Sequence, residues 1–310
     1  MVHLVSVVVP SYNNGTYLRA AVSSILENSA GVEVEIIVVD DGCADDASVR
    51  VIEDLAGSPE PRLKVIRHDR NRGVQAARNT GLKAATGDFV VCLDGDDVLL
   101  PMPGLEGTSF LCEAARILSE DDNIAFVHTL ATMFGDFSGL TISSYPLREE
   151  MVVRKHHVPM AIVYRRSEIL SGLLHDEAVP KWQDWAFGVS ILAHRWRRNQ
   201  KSDIGFIRGP GYGYRIHSTG PRISLAQKSE YDSTRVVVQA HRDYFTAKFP
   251  GAADMADDVD ALAAAVLASK PSPLEDLLYV ASFNLEQALE MARGREYQVQ
   301  SAHVEKLGIP

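Results

Sequence analysis

The chain has 310 residues, of which Lys and Arg make 31 and Asp and Glu 41, for a net charge of -10, with a hydrophobic share of 46%. That size and apolar content suit one large α/β domain, alone or with an appendage, and the acidic balance excludes a general nucleic-acid binder, which needs a basic surface. The three cysteines, Cys43, Cys92 and Cys112, fit no metal-knuckle spacing and read as reduced thiols of a cytoplasmic protein; no charged-then-apolar leader opens the chain, and no apolar run approaches the roughly 20 residues that span a bilayer.

"LVSVVV" at 4 to 9 is continuously apolar and β-branched, the pattern of a strand covered on both faces. Residues 10 to 15 break it, and Asn14-Gly15-Thr16, a sequon on paper, reads as a loop turn. Leu18, Ala21, Val22 and Ile25 then follow the spacing of an amphipathic helix. "EVEIIVVDDG" predicts a second buried strand ending at Asp40-Asp41-Gly42. A helix over 45 to 56, with Asp45 or Asp46 near its cap, leads to a third strand in "RLKVIRH". "GVQAARNTGLKAAT" predicts a helix closed by Gly87, and "DFVVCL" a fourth strand. Further on, "NIAFVHTLATMF" reads as a strand pair and "HHVPMAIVYRRSEIL" as a loop leading into a strand or helix. "QDWAFGVSILAHRW" is helical, with Trp185, Val189, Leu192 and Trp196 at helical spacing, and "RWRR" at 195 to 198 reads as its solvated C-terminus. "GPGYGYRIHSTG" reads as a glycine-rich turn and short strand. Helices are expected over 229 to 249 and 254 to 293, broken near Pro250-Gly251 and Pro271-Ser272-Pro273.

Strands alternating with helices predict an α/β fold with a mostly parallel central sheet flanked by helices. Residues 1–228 are expected to form this domain and 229–310 a helical C-terminal extension. In such sheets ligands bind beyond the carboxyl ends of the strands. Three strand ends carry unusual polar residues: Pro10 to Asn13, Asp40-Asp41, and Asp94 to Asp97. A parallel sheet sets them on one rim. Asp94, Asp96 and Asp97 crowd three carboxylates that need a divalent cation, an arginine or bulk water to coexist. A hard divalent ion takes oxygen ligands and shares them with water and substrate phosphates. The bland alternative is a solvated turn capping the next helix. An EF-hand is excluded, because its glycine and glutamate do not fall at the required offsets from Asp94. "GPGYG" lacks the strand and helix that a dinucleotide fingerprint requires.

Four segments, "VSVVVPSYNNGTYLRAAVSSIL", "EIIVVDDGCADD", "NRGVQAARNTGLKAATGDFVVCLDGDD" and "KWQDWAFGVSILAHRW", together resemble the family 2 glycosyltransferases in order and spacing. The first hundred residues match specifically, 158 to 218 more loosely, and nothing beyond about 230 contributes. The resemblance implies a GT-A nucleotide-diphospho-sugar transferase fold and an inverting, metal-dependent transfer, with residues 1–100 on the nucleotide-sugar side and 101–228 on the acceptor side. It implies that Pro10 and Tyr12 line the nucleoside pocket, that Asp40 reads the base, and that Arg78 lies near base or phosphates. Asp94 and Asp96 would form the DxD motif on the donor, with Asp96 or Asp97 holding Mn2+ or Mg2+. Asp184, in "QDW", stands where the family has its catalytic base, with Gln183 departing from the usual glutamate. Arg215 and His217, in "GYRIH", would approach the diphosphate or the metal. The implied partners are a nucleotide-diphospho-sugar, UDP-linked by the Asp40 argument, and an unidentified acceptor, with neither nucleic acid nor membrane span and with homodimerisation through the C-terminal helices as an option. Two alternatives stand beside this reading. One is a catalytically inactive sugar-nucleotide binder. The other is a sugar nucleotidyltransferase, disfavoured because "PSYNNG" lacks the basic glycine-rich loop expected after the first strand.

Overall fold

The computed structural model describes residues 2–102, 107–141, 145–217 and 229–294. The four predicted opening strands are β1 (Leu4–Ser11), β2 (Glu33–Asp40), β3 (Leu63–Arg67) and β4 (Phe89–Cys92). They pair in parallel in the order β3-β2-β1-β4. Helices α1 (Gly15–Glu27), α2 (Asp46–Ala56) and α3 (Val74–Ala84) connect them. The β-branched runs are buried as their composition requires: Val5, Val7, Val8 and Val9 of β1 and Ile36 to Val39 of β2 are all 0% exposed. Asp45 caps α2, accepting from Ser48 N–H at 2.8 Å.

The second half of the sheet is mixed. After β5 (Val98–Leu99) and α4 (Phe110–Glu120) come β6 (Ile124–Gly135) and β7 (Gly139–Leu140). Then follow α5 (Glu149–Val153), β8 (Val163–Arg165), α6 (Arg166–Leu170), α7 (Gln183–Arg197) and β9 (Asp203–Ile216). The full order is β3-β2-β1-β4-β8-β6-β9-β5, with β7 on β6. β8 runs antiparallel to both β4 and β6, whereas β6 and β9 are parallel.

Three local expectations are corrected. "NIAFVHTLATMF" is one long strand, not a pair, because no turn residue interrupts it; its irregularity is absorbed as register shifts against β9 near Phe126 and Ala131. "GPGYG" is not a turn but the middle of β9. A Cβ on Gly211 would come within 2.7 Å of Phe110 Cβ, so glycine there lets β9 approach α4. "RWRR" is not solvated throughout. Arg195 is 2% exposed and donates to Glu168 at 2.8 Å, and the same glutamate pairs with Arg198 at 3.1 Å. The tail of the "GPGYGYRIHSTG" reading, 218–220, and residues 295–310 of the predicted extension lie outside the described residues.

The C-terminal helices are α8 (Glu230–Ala240), α9 (Arg242–Lys248), α10 (Val259–Ala268), α11 (Pro273–Ala281) and α12 (285–294), with a 3-10 turn at Ala252–Met255. The break at His241 divides the first predicted helix. Val237, Val238, Tyr244, Phe245, Leu262 and Val266 join the same hydrophobic core as the sheet. Tyr145 donates to Asp276 at 2.8 Å, tying α11 to the domain. Leu274, Leu278, Phe283, Leu285 and Leu289 remain more than half exposed on α11, α12 and their link. No helix among the described residues is long and apolar enough to cross a membrane.

Candidate active site

The carboxyl ends of β1, β2 and β4 meet on one rim, as parallel pairing demands. Pro10 is buried in β1 opposite Val39, and its carbonyl approaches the acidic loop. Gly95 permits this: a Cβ there would stand 2.9 Å from Pro10 O and 2.6 Å from Asn14 Nδ2. The glycine is needed for close approach of the two strand ends rather than for a left-handed turn. Tyr12, just beyond β1, is 46% exposed.

The doubled acids after β2 divide their work. Asp40 is buried and accepts from Cys43 N–H at 2.8 Å. Asp41 is 2% exposed and shapes the approach to α3: it accepts from Arg72 N and Gly73 N at 2.9 and 2.8 Å and contacts His68 Nδ1 at 2.7 Å. Burial and the adjacent Asp40 push the Cys43 thiol up to about 12, away from the range of a thiolate nucleophile.

The three acids after β4 are separated in the same way. Asp94 pairs with Arg78 Nη2 at 2.7 Å. Asp96 meets His217 Nε2 at 3.3 Å. Asp97 is 2% exposed; it accepts from Tyr212 Oη and, at 2.8 Å, from Arg215 N–H. Burial first, then the neighbouring carboxylates, hold the Asp97 carboxyl well above the usual range. Burial and the Asp94 charge raise Asp96 too, while His217 opposes them. Arg215 also donates Nε–H to Asp96 O at 2.7 Å, and its guanidinium lies 4.7 Å from the Tyr17 ring centre and 4.3 Å from that of Phe134. Arg215 thereby fixes the acidic loop from the β9 side.

Arg78 is 3% exposed on α3, so it is no surface helix residue. Burial opposes its charge, but Asp94 and Asp184 outweigh that cost and raise its pKa. Its Nε and Nη1 are buried without a hydrogen-bond partner among the described residues. Asp184 lies in the first turn of α7, half-buried. Burial raises it to about 6, with Arg78 opposing and Asp94 adding to the shift. The structure thus brings Asp94, Arg78 and Asp184 into one electrostatic group. Trp185 is core, donating Nε1–H to Val152 O at 2.8 Å, and Trp196 packs against Tyr244.

Sequence reasoning missed Tyr17, whose ring lies 5.1 Å from that of His217, and Tyr212 beneath Asp97. Neither carried a signal beyond its place next to a motif. It also missed two amides of α3. Gln75 Nε2 donates to Val179 O at 2.6 Å. Asn79 donates to His175 O at 3.0 Å and accepts from His175 N–H at 2.8 Å. His175 in turn stacks on Phe187 of α7 at 3.8 Å. Helix α3 therefore grips Asp94 through Arg78 and the approach to Asp184 through Asn79. Asn79→Ala leaves a buried N–H and C=O of His175 unpaired, a loss of about 1–3 kcal/mol. The variant is expected to melt several degrees lower in a thermal scan, and its turnover should fall more than its nucleotide affinity.

The family model described as "Glycosyl transferase family 2" matches residues 6–107. ExoO, a succinoglycan biosynthesis protein of Rhizobium meliloti (strain 1021), is 42% identical over 213 residues, covering 66% of this chain and 60% of ExoO. EpsH of Bacillus subtilis (strain 168) is 33% identical over 229 residues, covering 69% of this chain and 61% of EpsH, so the chain spans about three-fifths of the length of these two relatives. Among solved structures, S. aureus TarS in complex with UDP-GlcNAc superposes with a TM-score of 0.62 at 19% identity, covering 94% of this chain and 91% of that one. The mannosyltransferase PcManGT of Pyrobaculum calidifontis, in complex with GDP-Man and Mn2+, superposes with a TM-score of 0.54 at 17% identity, covering 96% and 81%. Both likenesses concern the fold, which is GT-A.

Proposed function

The chain belongs to glycosyl transferase family 2, and from that premise we propose that it moves a sugar from a uridine-diphospho-sugar to an acceptor hydroxyl or amine by single displacement, with inversion. The observation that carries this reading is the shared cation. Arg78 pairs with Asp94 at 2.7 Å, and its charge also acts on Asp184, a carboxyl that burial raises and that arrives from a different half of the sequence.

In this proposal Tyr12 packs against the base, and Asp40, already oriented by Cys43 N–H, accepts the uracil imide N–H. Pro10 shapes the floor of that pocket. Asp94 is held toward the donor by Arg78, its partner at 2.7 Å. No set of three acidic, His or Cys side chains among the described residues forms a closed metal site. An open one fits the residues present: Asp96 and His217 adjoin at 3.3 Å, and diphosphate and water would complete the shell. A divalent ion there, Mn2+ or Mg2+, would supply charge neutralisation for the diphosphate. Arg215 is the fixed cation beside it, and Asp97 supports the loop from below. Asp184 takes the acceptor proton. Its raised pKa favours this enzyme reading over an inert sugar-nucleotide binder.

Asp40 sets the expected donor. A carboxylate accepts from the N–H of uracil, and thymine shares that edge, while guanine offers a competing N–H. Incubation with UDP-, dTDP- and GDP-sugars and Mn2+, with nucleoside diphosphate release as the readout, is expected to favour UDP. Calorimetry showing GDP bound more tightly than both UDP and dTDP would overturn the uridine assignment, and absence of turnover with every donor would overturn the transferase reading.

A further inference from the structure

Trp182, the N-cap of α7, is flanked by two ammonium groups. Lys155 Nζ lies 4.4 Å from its ring centre and 4.5 Å from that of Trp185. Lys270 Nζ lies 4.3 Å from the Trp182 ring centre. Both lysines share one carboxylate, Glu230, at 3.1 and 2.7 Å. The Lys155 side chain is 1% exposed, whereas Lys270 and Glu230 are about one-third open, so the group has a face to solvent.

Several features at this spot are costly without a further ligand. Two cations face one anion, in a chain whose net charge is -10. Burial lowers Lys155 to about 8 even with Glu230 opposing, so the amine keeps its proton near neutrality with too little negative charge around it. Lys155 and Trp182 both adopt left-handed backbone conformations, φ 61° and 64°, which are unfavourable for these residue types and collect at ligand sites. Trp182 Nε1 and His157 Nδ1 are buried without a hydrogen-bond partner among the described residues, and the two rings lie 5.8 Å apart. Burial and the two lysine charges lower His157 to about 4, so its ring is neutral and can present an N–H. A purely structural ion pair would need one lysine and would leave no indole N–H over. One surplus positive charge with unspent donors is the chemistry of an oxyanion site.

We propose that Lys155, Lys270, Trp182 and His157 form a subsite for an oxyanion, a phosphate or carboxylate, carried by the acceptor. Trp182 is two residues from Asp184, so a group held there lies at the start of the helix that bears the base. Only the naming of the anion as part of the acceptor rests on the transferase reading; the site itself does not.

The test uses the full chain with saturating UDP and Mg2+, so that the donor pocket is filled. Sodium phosphate and, separately, sodium acetate are titrated at constant ionic strength, with indole fluorescence as the readout. A saturable change is expected with one of the two salts, which identifies the anion. Lys270→Met should weaken it at least tenfold while donor hydrolysis stays at the wild-type rate. Lys155→Met should abolish it; should that variant fail to fold, Lys270→Met alone decides. A titration with no saturable change, or one that Lys270→Met leaves untouched, overturns the subsite. Asp184→Asn keeps the anion titration while losing turnover; full turnover in that variant sinks the base assignment and leaves the subsite standing, so the two failures are separable.

Discussion

Asp184→Asn is expected to slow sugar transfer by at least roughly a hundredfold, the usual contribution of a general base, while UDP binding stays at the wild-type level. In a single in-line displacement the acceptor attacks opposite the departing diphosphate, so its proton leaves on that face. The carboxylates after β4 already have other partners: Asp94 has Arg78, Asp96 has His217, and Asp97 has Tyr212 and the Arg215 backbone. Asp184 comes from a separate element, and its charge is linked to theirs through Arg78 and Asp94. Asparagine keeps the volume and cannot accept the proton. The pH dependence has a definite sign. Asp184 is held up to about 6, chiefly by burial, and the proposed base role requires it ionised. Transfer should therefore fall as pH drops through about 6 and level off above it, and the asparagine variant should lack that limb. Near-wild-type transfer by the variant removes Asp184 from this role. Product NMR showing retained anomeric configuration removes the single displacement itself.

Asp96→Asn should lower manganese-stimulated donor turnover by about a hundredfold or more, the range seen when a group stabilising developing charge is lost. Asp96 is one-third open beside His217, and its raised pKa marks a carboxylate short of positive charge. Excess chelator should reproduce the loss in the wild type and do little to the variant. Asp97→Asn provides the contrast. Both Asp97 oxygens are already committed, to Tyr212 and to the Arg215 backbone, so its replacement should lower the melting temperature yet leave manganese stimulation in place. Equal loss of metal response in the two variants would contradict this division, and wild-type activity in chelator would end the metal reading.

These two variants also show how far the motif could be read. "LDGDD" alone does not distinguish the three acids, and the family resemblance leaves the metal to Asp96 or Asp97. The structure gives each a different neighbour, drawn from 16, 121 and 115 residues away for Arg78, His217 and Tyr212. "RWRR" went wrong for the same reason. A helix C-terminus rich in arginine is ordinarily solvated, but Glu168 on α6 is buried opposite it, and a buried carboxylate requires a partner.

The sequence by itself determined the four opening strands β1 to β4, their parallel pairing and the common rim of their carboxyl ends, while the order β3-β2-β1-β4 came from the structure. Each of those follows from local causes: β-branched runs too apolar to face water, and helices between them that force crossovers. Only the tertiary structure decided that α3 holds Asp94 through Arg78 and the segment at His175 through Asn79, that "GPGYG" is strand, and that two lysines converge on Trp182. Those outcomes depend on which groups are desolvated together, and desolvation is set by distant chain segments closing over a residue rather than by its neighbours in sequence.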